Sequence, residues 1–266
     1  MSGRLITSLT NDTVKSVRAL HMRKEREATG RFLSEGLKFI GEALDMGHTP
    51  KLLLVGMEAR PHALLDRARA ATEAAGGEVV TVTHPILEKI SRRENPQTVL
   101  AVFDQVYTPL DALDPASAPA WIALEQVRDP GNLGTIIRTA DAAGCGGVIL
   151  IGDCVDPFSV EAVRATMGSV FAVTITRTTP EAFLDWRKRW PGSVIGTRLD
   201  ATVTPSSAHF VRPSLILMGN EQAGLTDALA AACDVNVKIP MRGRADSLNL
   251  AIATGIMAYA ATEDRR

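Results

Sequence analysis

Three short segments in the second half of the chain combine glycines with a few polar side chains. They are residues 132–138 (NLGTIIR), 219–225 (GNEQAGL) and 239–249 (IPMRGRADSLN). Glycine lets a backbone approach a ligand closely, while amide, hydroxyl, carboxylate and guanidinium groups orient polar substrates through hydrogen bonds. None of the segments carries the lysine of a phosphate-binding P-loop. Together they predict a small-molecule pocket made largely of backbone.

The segments contain five candidate catalytic residues, and each has a plainer structural role as an alternative. Asn132 and Ser247 stand where helix N-caps are expected, and Glu221, the only carboxylate of its loop, could cap the helix that follows. Arg138 interrupts an apolar helical stretch, either as an exposed partner of a neighbouring carboxylate or as a functional group. Asn249 is harder to explain as structure, because asparagine is unfavourable inside a helix unless its side chain bonds something.

The elements that would position these residues are strands and helices in alternation. In the first part of the chain the pattern predicts helices over 12–28, 37–44, 61–75 and 85–91 and strands over 51–55, 78–82 and 98–103. In the second part it predicts strands over 121–127, 148–151, 170–175, 193–197, 214–218 and 235–239, with helices beginning at Gly134, Ser159, Pro180, after Gly224 and at Leu248. The later strands are apolar without in–out alternation, which indicates a mostly parallel sheet covered on both faces. Each of the three segments leaves such a strand, as ligand-binding loops of α/β proteins do.

A change in composition divides the chain. Residues 108–119 contain three prolines and no strong periodicity, which favours an extended connector. We therefore predict a smaller α/β domain over residues 1–107, a linker over 108–119 and a larger domain over 120–266. The glycines of the stretch 144–147 do not form a dinucleotide loop, because they lead from a helix into a strand, whereas that loop leads from a strand into a helix.

Composition and charge exclude several classes of protein. A formal net charge of −1 is not that of a protein that binds nucleic acid with its whole surface. Residues 1–31 nevertheless carry seven basic residues against three acidic ones, which fits either a polyanion-binding surface or a solvated helix face. The three cysteines lack CxxC spacing and the five histidines are scattered, so we expect neither a disulfide framework nor a metal site. The absence of a long apolar run and of a signal-peptide core favours a cytoplasmic protein.

In order and spacing, the three segments resemble motifs 1, 2 and 3 of the SpoU (TrmH-like) branch of the SPOUT RNA methyltransferases. The resemblance covers residues 120–262 and includes the connecting stretch 155–169. Residues 6–36 resemble the start of the RNA-binding domain of many rRNA-modifying members, a small α/β domain with a ribosomal-protein-like fold. The similarity therefore extends over nearly the whole chain.

The resemblance implies a fold that the strand pattern does not reveal. In this family the mostly parallel α/β sheet of the catalytic domain contains a deep trefoil knot, a rare exception to the rule that protein chains are unknotted. The knot binds S-adenosylmethionine, and by position Thr197, Gly219, Ile239 and Leu248 would line that pocket. Family members are homodimers in which each active site lies near the interface.

The resemblance also implies the reaction, which is methyl transfer from S-adenosylmethionine to a ribose 2′-hydroxyl of structured RNA. The expected target is rRNA of the 23S type. Arg138 matches the family's proposed catalytic arginine, acting as a base or as an electrostatic stabiliser. Asn132, Glu221, Ser247 and Asn249 would position Arg138, the ribose and the loops.

The expected partner is RNA, with neither DNA nor a membrane involved. The residues expected to contact it are Lys15, Arg18, Arg26, Glu35 and Arg164. Two alternatives stay open: tRNA could replace rRNA as the substrate, or the chain could be a non-catalytic RNA-binding or ribosome-assembly protein on the same scaffold. Against the second alternative, every polar position of the motifs holds the residue type expected of an active enzyme.

Overall fold

The computed structural model describes residues 4–263, whose contacts divide the chain into two compact units. The first unit contains the residues up to Gln105 together with Phe158–Phe171, and the second contains Val106–Pro157 and the residues from Ala172 onward. This division differs from the predicted one at two places. The stretch predicted as a linker belongs to the second unit, and a segment from the middle of the predicted catalytic domain belongs to the first.

The predicted elements are mostly confirmed, with ends shifted by a few residues. The strands are β1 (Arg4–Ile6), β2 (Arg31–Glu35), β3 (Leu52–Gly56), β4 (Glu78–Val82), β5 (Val99–Asp104), β6 (Ala120–Glu125), β7 (Gly147–Ile151), β8 (Thr174–Thr178), β9 (Val194–Thr197), β10 (Ser214–Met218) and β11 (Val235–Val237). The helices are α1 (Asp12–Ala19), α2 (Arg23–Thr29), α3 (Leu37–Asp45), α4 (Ala63–Ala74), α5 (His84–Ser91), α6 (Pro130–Ala142), α7 (Val160–Thr166), α8 (Pro180–Arg187), α9 (Asp227–Ala231) and α10 (Leu250–Thr262). None of the helices in residues 4–263 is both long and apolar enough to cross a lipid bilayer.

The helix predicted over residues 12–28 is broken into α1 and α2. α1 begins after Asn11, whose side chain accepts a hydrogen bond from Thr13 N. Where α1 ends, the Arg26 guanidinium donates to the Leu20 carbonyl at 2.7 Å and so satisfies a group that the helix leaves unpaired. Arg26 is only 3% exposed. This burial corrects the prediction that Arg26 contacts RNA.

The five-stranded sheet of the first unit has the order β1-β4-β3-β5-β2. β5 is antiparallel to both of its neighbours, and the other pairs are parallel. α1 and α5 cover one face, where Val14, Val17, Ile86 and Ile90 join a single buried cluster. α3 and α4 pack against each other and against β2, β3, β4 and β5, and they contribute no residue to that cluster. The two helix pairs therefore form separate layers.

The segment Phe158–Phe171 covers β2, the edge strand of this sheet. α7 packs against β2, and its Val160 joins the buried cluster of α1 and α5. Phe158 and Phe171 lie around Phe32 of β2, with ring centroids 4.9 and 5.9 Å away. Phe171, which the sequence predicted as part of a strand, instead ends a short 3-10 helix. Covering an edge strand protects unpaired backbone groups from pairing with another chain.

The six-stranded sheet of the second unit has the order β11-β9-β10-β6-β7-β8, and every adjacent pair is parallel. This confirms the predicted parallel sheet. α6 and α10 pack against each other and over the central strands, whereas α8 contributes Phe183 and Trp186 to a buried cluster around Trp121. Because the strands are parallel, the loops that follow β6, β9, β10 and β11 meet at one end of the sheet.

The stretch predicted as a linker packs on the second unit. Thr108 N donates to Ile175 O at 2.9 Å. Leu110 and Leu113 pack against the cluster around Trp121. The prolines of this stretch do prevent long helices, but the two leucines supply apolar anchors that the composition did not reveal.

Candidate active site

A cavity of about 680 Å³ lies at the carboxyl ends of β9, β10 and β11. The four residues predicted to bind a cofactor all line it: Thr197 ends β9, Gly219 follows β10, and Ile239 and Leu248 lie between β11 and α10. Its size falls within the range of roughly 300–1,000 Å³ that is usual for small-molecule sites. The structure thus brings these four residues to one pocket.

The loop after β10 folds back on itself, so that its backbone forms one wall of the cavity. Asn220 and Gly224 exchange two backbone hydrogen bonds of 3.0 and 2.9 Å. Gly224 has φ of 70°, a left-handed conformation that favours glycine. A Cβ atom at Gly219 would overlap the backbone of Gly224 and Leu225. Position 219 therefore needs glycine because two stretches of backbone approach each other closely.

Asn220, which was not among the predicted site residues, fixes this loop to the neighbouring one. Its Nδ2 donates to Gln126 O at 2.8 Å, while its Oδ1 accepts from Gln222 N and Ala223 N at 2.9 and 3.2 Å. The two bonds that Oδ1 accepts form an Asx-type turn. An asparagine shortly after a strand is a recognisable signal for such a turn.

Hydrogen bonds connect the three sequence segments into one site. The Glu221 carboxylate accepts from the backbone N–H groups of Arg128 and Asp129 at 3.3 and 3.4 Å and from Asn132 Nδ2 at 3.3 Å. Asn132 Oδ1 in turn accepts from Asn249 Nδ2 at 2.8 Å. Glu221 therefore holds the loop between β6 and α6, which differs from the alternative in which it caps the next helix.

The helix caps are also not those that the plainer alternatives assigned. Asp129 caps α6 by accepting from Asn132 N at 2.6 Å. Asn249 caps α10 by accepting from Ala251 N at 2.9 Å and Ile252 N at 3.3 Å. The side chain of Asn132 is thus available to the site. Ser247 lines the cavity, where its hydroxyl lies 3.2 Å from a carboxylate oxygen of its sequence neighbour Asp246.

Arg138 lies outside this cluster. It is exposed on α6 and is not among the residues that line the cavity. Within residues 4–263 its side chain makes no hydrogen bond or ion pair, and none joins it to Asp141. Arg138 lies six positions after Asn132 in α6, which corresponds to about 9 Å along the helix axis. The structure therefore brings together four of the five candidate catalytic residues and leaves the fifth as an exposed cation.

An ion-pair cluster forms the rim of the cavity beside β9. Arg198 donates two hydrogen bonds to Asp200 at 2.8 and 2.9 Å and one to Asp227 at 3.0 Å. The hydrogen bonds from Arg198 hold the pKa of Asp200 below its usual value. Arg198 and Asp200 both line the cavity, so this cluster fixes the loop that follows Thr197. The sequence pattern gave no signal for it.

The residues predicted to contact RNA fall into two groups. Lys15 and Arg18 lie on α1 with exposed or partly exposed side chains. Glu35 and Arg164 bind each other in the first unit: Arg164 donates two hydrogen bonds, of 2.5 and 3.2 Å, to the Glu35 carboxylate and one of 3.0 Å to Ser91 O. The Glu35 side chain is 3% exposed, which corrects the prediction that it contacts RNA.

Comparison with known proteins identifies both parts of the chain. The sequence profile of the SpoU rRNA methylase family matches residues 119–259, and that of the MRM3-like substrate binding domain matches residues 11–101. The chain is 34% identical to a 23S rRNA (guanosine(2553)-2′-O)-methyltransferase of Bacillus subtilis, over 96% of this chain and 97% of the relative. It is 31% identical to a 23S rRNA (uridine(2479)-2′-O)-methyltransferase of Streptomyces viridochromogenes, over 99% and 93% respectively.

A solved structure agrees with these relatives over the whole fold. The crystal structure of an AdoMet-bound rRNA methyltransferase from Sinorhizobium meliloti is 47% identical, covers 97% of each chain and gives a TM-score of 0.91. S-adenosylmethionine is the cofactor of this group of enzymes. The cavity and the connected loops agree with these matches, which cover both units. This chain therefore belongs to the SpoU rRNA methylase family.

Proposed function

We propose that this protein transfers the methyl group of S-adenosylmethionine to a ribose 2′-hydroxyl of 23S rRNA. The observation that carries the proposal is the connected set Asn132, Glu221 and Asn249 beside the cavity. These side chains come from three segments that are distant in the sequence. Capping of the helices does not require them to contact one another. Their meeting at a small-molecule pocket supports a catalytic role for the site.

The residues of the cavity fit S-adenosylmethionine. Met218, Leu225 and Leu248 offer apolar surface, and the loops around Gly219 and Ile239 offer backbone hydrogen-bonding groups. When bound, the cofactor supplies a methyl group activated by a positively charged sulfur. The protein then has two tasks, which are to orient the ribose hydroxyl towards that methyl group and to manage the charge that develops as the hydroxyl loses its proton.

Arg138 is the group that we assign to the second task. A guanidinium is protonated at any physiological pH and has only donors, so it is suited to bind a developing alkoxide or the adjacent phosphate. Acting as a base would instead require an environment that removes its proton. Asn132, Glu221, Ser247 and Asn249 position the loops and the ribose. Arg164 stays a proposed RNA contact through the exposed part of its side chain.

We further propose that the protein is a homodimer with its active sites near the interface. Ile252, Ile256 and Tyr259 share one face of α10 and are 55%, 40% and 55% exposed. A row of large apolar side chains at this spacing is typical of an interaction surface. Because α6 packs against α10, an interface formed through this face would lie close to Arg138.

The trefoil knot is also part of the proposal. After β11, at the edge of the sheet, the chain returns through α10, which packs against β6, β10 and α6 at the centre. Threading of this return through the loop after β9 would produce the knot. It would also explain why the loops after β9, β10 and β11 share one cavity.

The choice of 23S rRNA rests on the two relatives that act on it and on the substrate-binding profile of the first unit. A 23S rRNA substrate implies a cytoplasmic protein. Transcribed 23S rRNA, incubated with the protein and methyl-labelled S-adenosylmethionine, should incorporate label at one ribose. Mapping of ribose methylation in cells with and without the protein should find the same position.

Two outcomes would contradict this proposal. Label in tRNA but not in rRNA would assign the enzyme to tRNA. No transfer to any RNA, together with no heat of S-adenosylmethionine binding in calorimetry, would indicate a non-catalytic RNA-binding protein.

A further inference from the structure

We propose that a groove between α1 and α5 of the first unit binds the phosphodiester backbone of the RNA substrate. We call it the basic groove and define it by Lys15, Arg18, Ala19, Met22, Glu88, Lys89 and Arg92. The inference rests on the proposed function, because it assumes an RNA substrate. It adds the face of the unit that receives the RNA and the chemical group that this face recognises.

The basic groove is a concave feature with a fixed floor. Its volume is about 600 Å³. The two helices that form it are held together by buried residues, among them Val17 and Ile90. At the end of α1, His21 Nε2 donates to Ile90 O at 2.7 Å and ties the turn after α1 to the end of α5. Burial, followed by the charge of Arg92, lowers the pKa of His21, so the tie is made by a neutral ring at neutral pH.

Positive charge in the basic groove is not balanced by the protein itself. Four cations and one carboxylate line it. The Glu88 carboxylate lies 3.6 Å from His84 Nε2. Lys15 forms an ion pair with Asp12 at 3.0 Å. The side chains of Arg18, Lys89 and Arg92 form no hydrogen bond or ion pair with any of residues 4–263. Three such cations in one concavity repel one another, and an anionic ligand would remove that repulsion.

The backbone at Arg92 gives an independent sign that a side chain is needed there. Arg92 ends α5 in the left-handed region with φ of 57°, and its N–H donates to Glu88 O at 2.8 Å. This is the conformation in which helices usually end on glycine, as α2 does at Gly30 with φ of 65°. Stability alone favours glycine at position 92. The arginine instead directs a cation into the basic groove, which is the kind of local strain found at binding sites.

The chemistry of the lining favours a nucleic-acid backbone over a protein partner. Lysine and arginine side chains are the groups that bind phosphates, and such contacts carry no sequence information. The lining has no aromatic residue for base stacking and no amide for reading base edges. Met22 is the one large apolar side chain in it, which is too little for the buried aromatic anchors of a protein interface. The basic groove therefore adds affinity for RNA without choosing the nucleotide.

The test compares RNA binding by two groove variants and one matched control. Arg92→Gly removes one cation and relieves the backbone, so folding is not at risk. Lys89→Glu with Arg92→Glu reverses two charges. The control, Lys38→Glu with Arg67→Glu, makes the same change of charge on α3 and α4, which form the other helix layer. Fluorescence anisotropy with transcribed, protein-free 23S rRNA at several salt concentrations measures affinity and its salt dependence.

We expect Arg92→Gly to weaken binding severalfold and to reduce the salt slope by about one. The double reversal should weaken binding by more than about tenfold, with S-adenosylmethionine affinity unchanged by calorimetry. Groove variants that bind RNA as the control does would overturn the inference. So would variants that retain RNA binding but lose a ribosomal protein partner. Failure of the proposed function would look different, since the wild-type protein would then bind RNA without methylating it.

Discussion

Glu221 joins its own loop to Asn132 near the start of α6, 89 residues earlier in the sequence, and to the loop that precedes α6. Its bonds to the first loop, at 3.3 to 3.4 Å, are long for hydrogen bonds and therefore individually weak, so the carboxylate orients the loop more than it stabilises the fold. Asn249 acts differently because it caps α10 and also donates to Asn132. A change at Asn249 would affect helix stability and site geometry together, whereas a change at Glu221 would affect mainly the geometry.

Arg138→Ala should abolish methyl transfer while S-adenosylmethionine affinity stays within about twofold, because Arg138 does not line the cavity. Labelled methyl incorporation into 23S rRNA and calorimetry with the cofactor would measure the two effects. Arg189→Ala is a suitable control, since Arg189 is another exposed arginine of the second unit and pairs with Asp111 at 2.7 Å. Near-normal turnover by Arg138→Ala would rule out the role assigned to this residue.

Two histidines of the first unit should have pKa values shifted in opposite directions. The hydrogen bond to the Glu58 carboxylate raises the pKa of His84 above the ordinary value of 6.5, and burial lowers the pKa of His21 below it. The stability that His84 contributes is present below pH 6.5 and is lost as pH rises through its raised pKa. His21 has the opposite sign, since stability is lost as pH falls through 6.5 and the unfolded chain gains the proton.

NMR titration of the two imidazole rings would measure both shifts. Glu58→Gln should return His84 towards its ordinary pKa and leave His21 unchanged. If both rings titrated on the same side of 6.5, the assigned partners would be wrong.

At the scale of elements, the strands of the second unit were predictable because they are continuous apolar runs with turn residues between them. The residues that cap the helices were harder to predict than the strands. Asp129 and Asn132 are both good N-cap residues, and only geometry decides that Asp129 caps α6 while Asn132 joins the site. The ion-pair cluster around Arg198 gave no signal either, because an ion pair such as that with Asp227 depends on distances between segments that a local pattern does not encode.

The loop after β10 gives a sharp test of how the cavity is built. Gly219→Ala should abolish S-adenosylmethionine binding, because the added methyl group would overlap the backbone of Gly224 and Leu225 and push the loop out of place. Gly243→Ala is the matched control, since a Cβ there meets nothing within 4 Å. Calorimetry with the cofactor and circular dichroism of both variants would separate a lost pocket from a lost fold. Unchanged binding by Gly219→Ala would contradict the description of this wall.

At the scale of the whole molecule, the exposed face of α10 predicts an oligomeric state. Ile252→Asp with Ile256→Asp should convert a dimer into a monomer, because two charges would be buried in an apolar interface. Light scattering after size-exclusion chromatography measures the mass. Met57→Asp is the control, as Met57 is 62% exposed in the first unit. A wild-type protein that is already monomeric would refute the interface, and methylation by a monomeric variant would refute its role in the active site.

The division into units was the part of the fold that sequence could not predict. The apolar residues of Phe158–Phe171 satisfy a helical pattern in either unit, and nothing local specifies which buried cluster they join. Proximity in sequence suggested the second unit. Packing against β2 instead places this segment in the first unit.

That placement has a consequence for how the protein is made. Domains generally fold in the order in which the ribosome releases them, the N-terminal one first. Here the N-terminal unit stays incomplete after Gln105 has emerged, with Phe32 and Phe103 lacking the ring of Phe171. Translation must continue through β6, α6 and β7 before that ring is available. The unit that begins synthesis first is therefore finished only when part of the catalytic sheet has already been made.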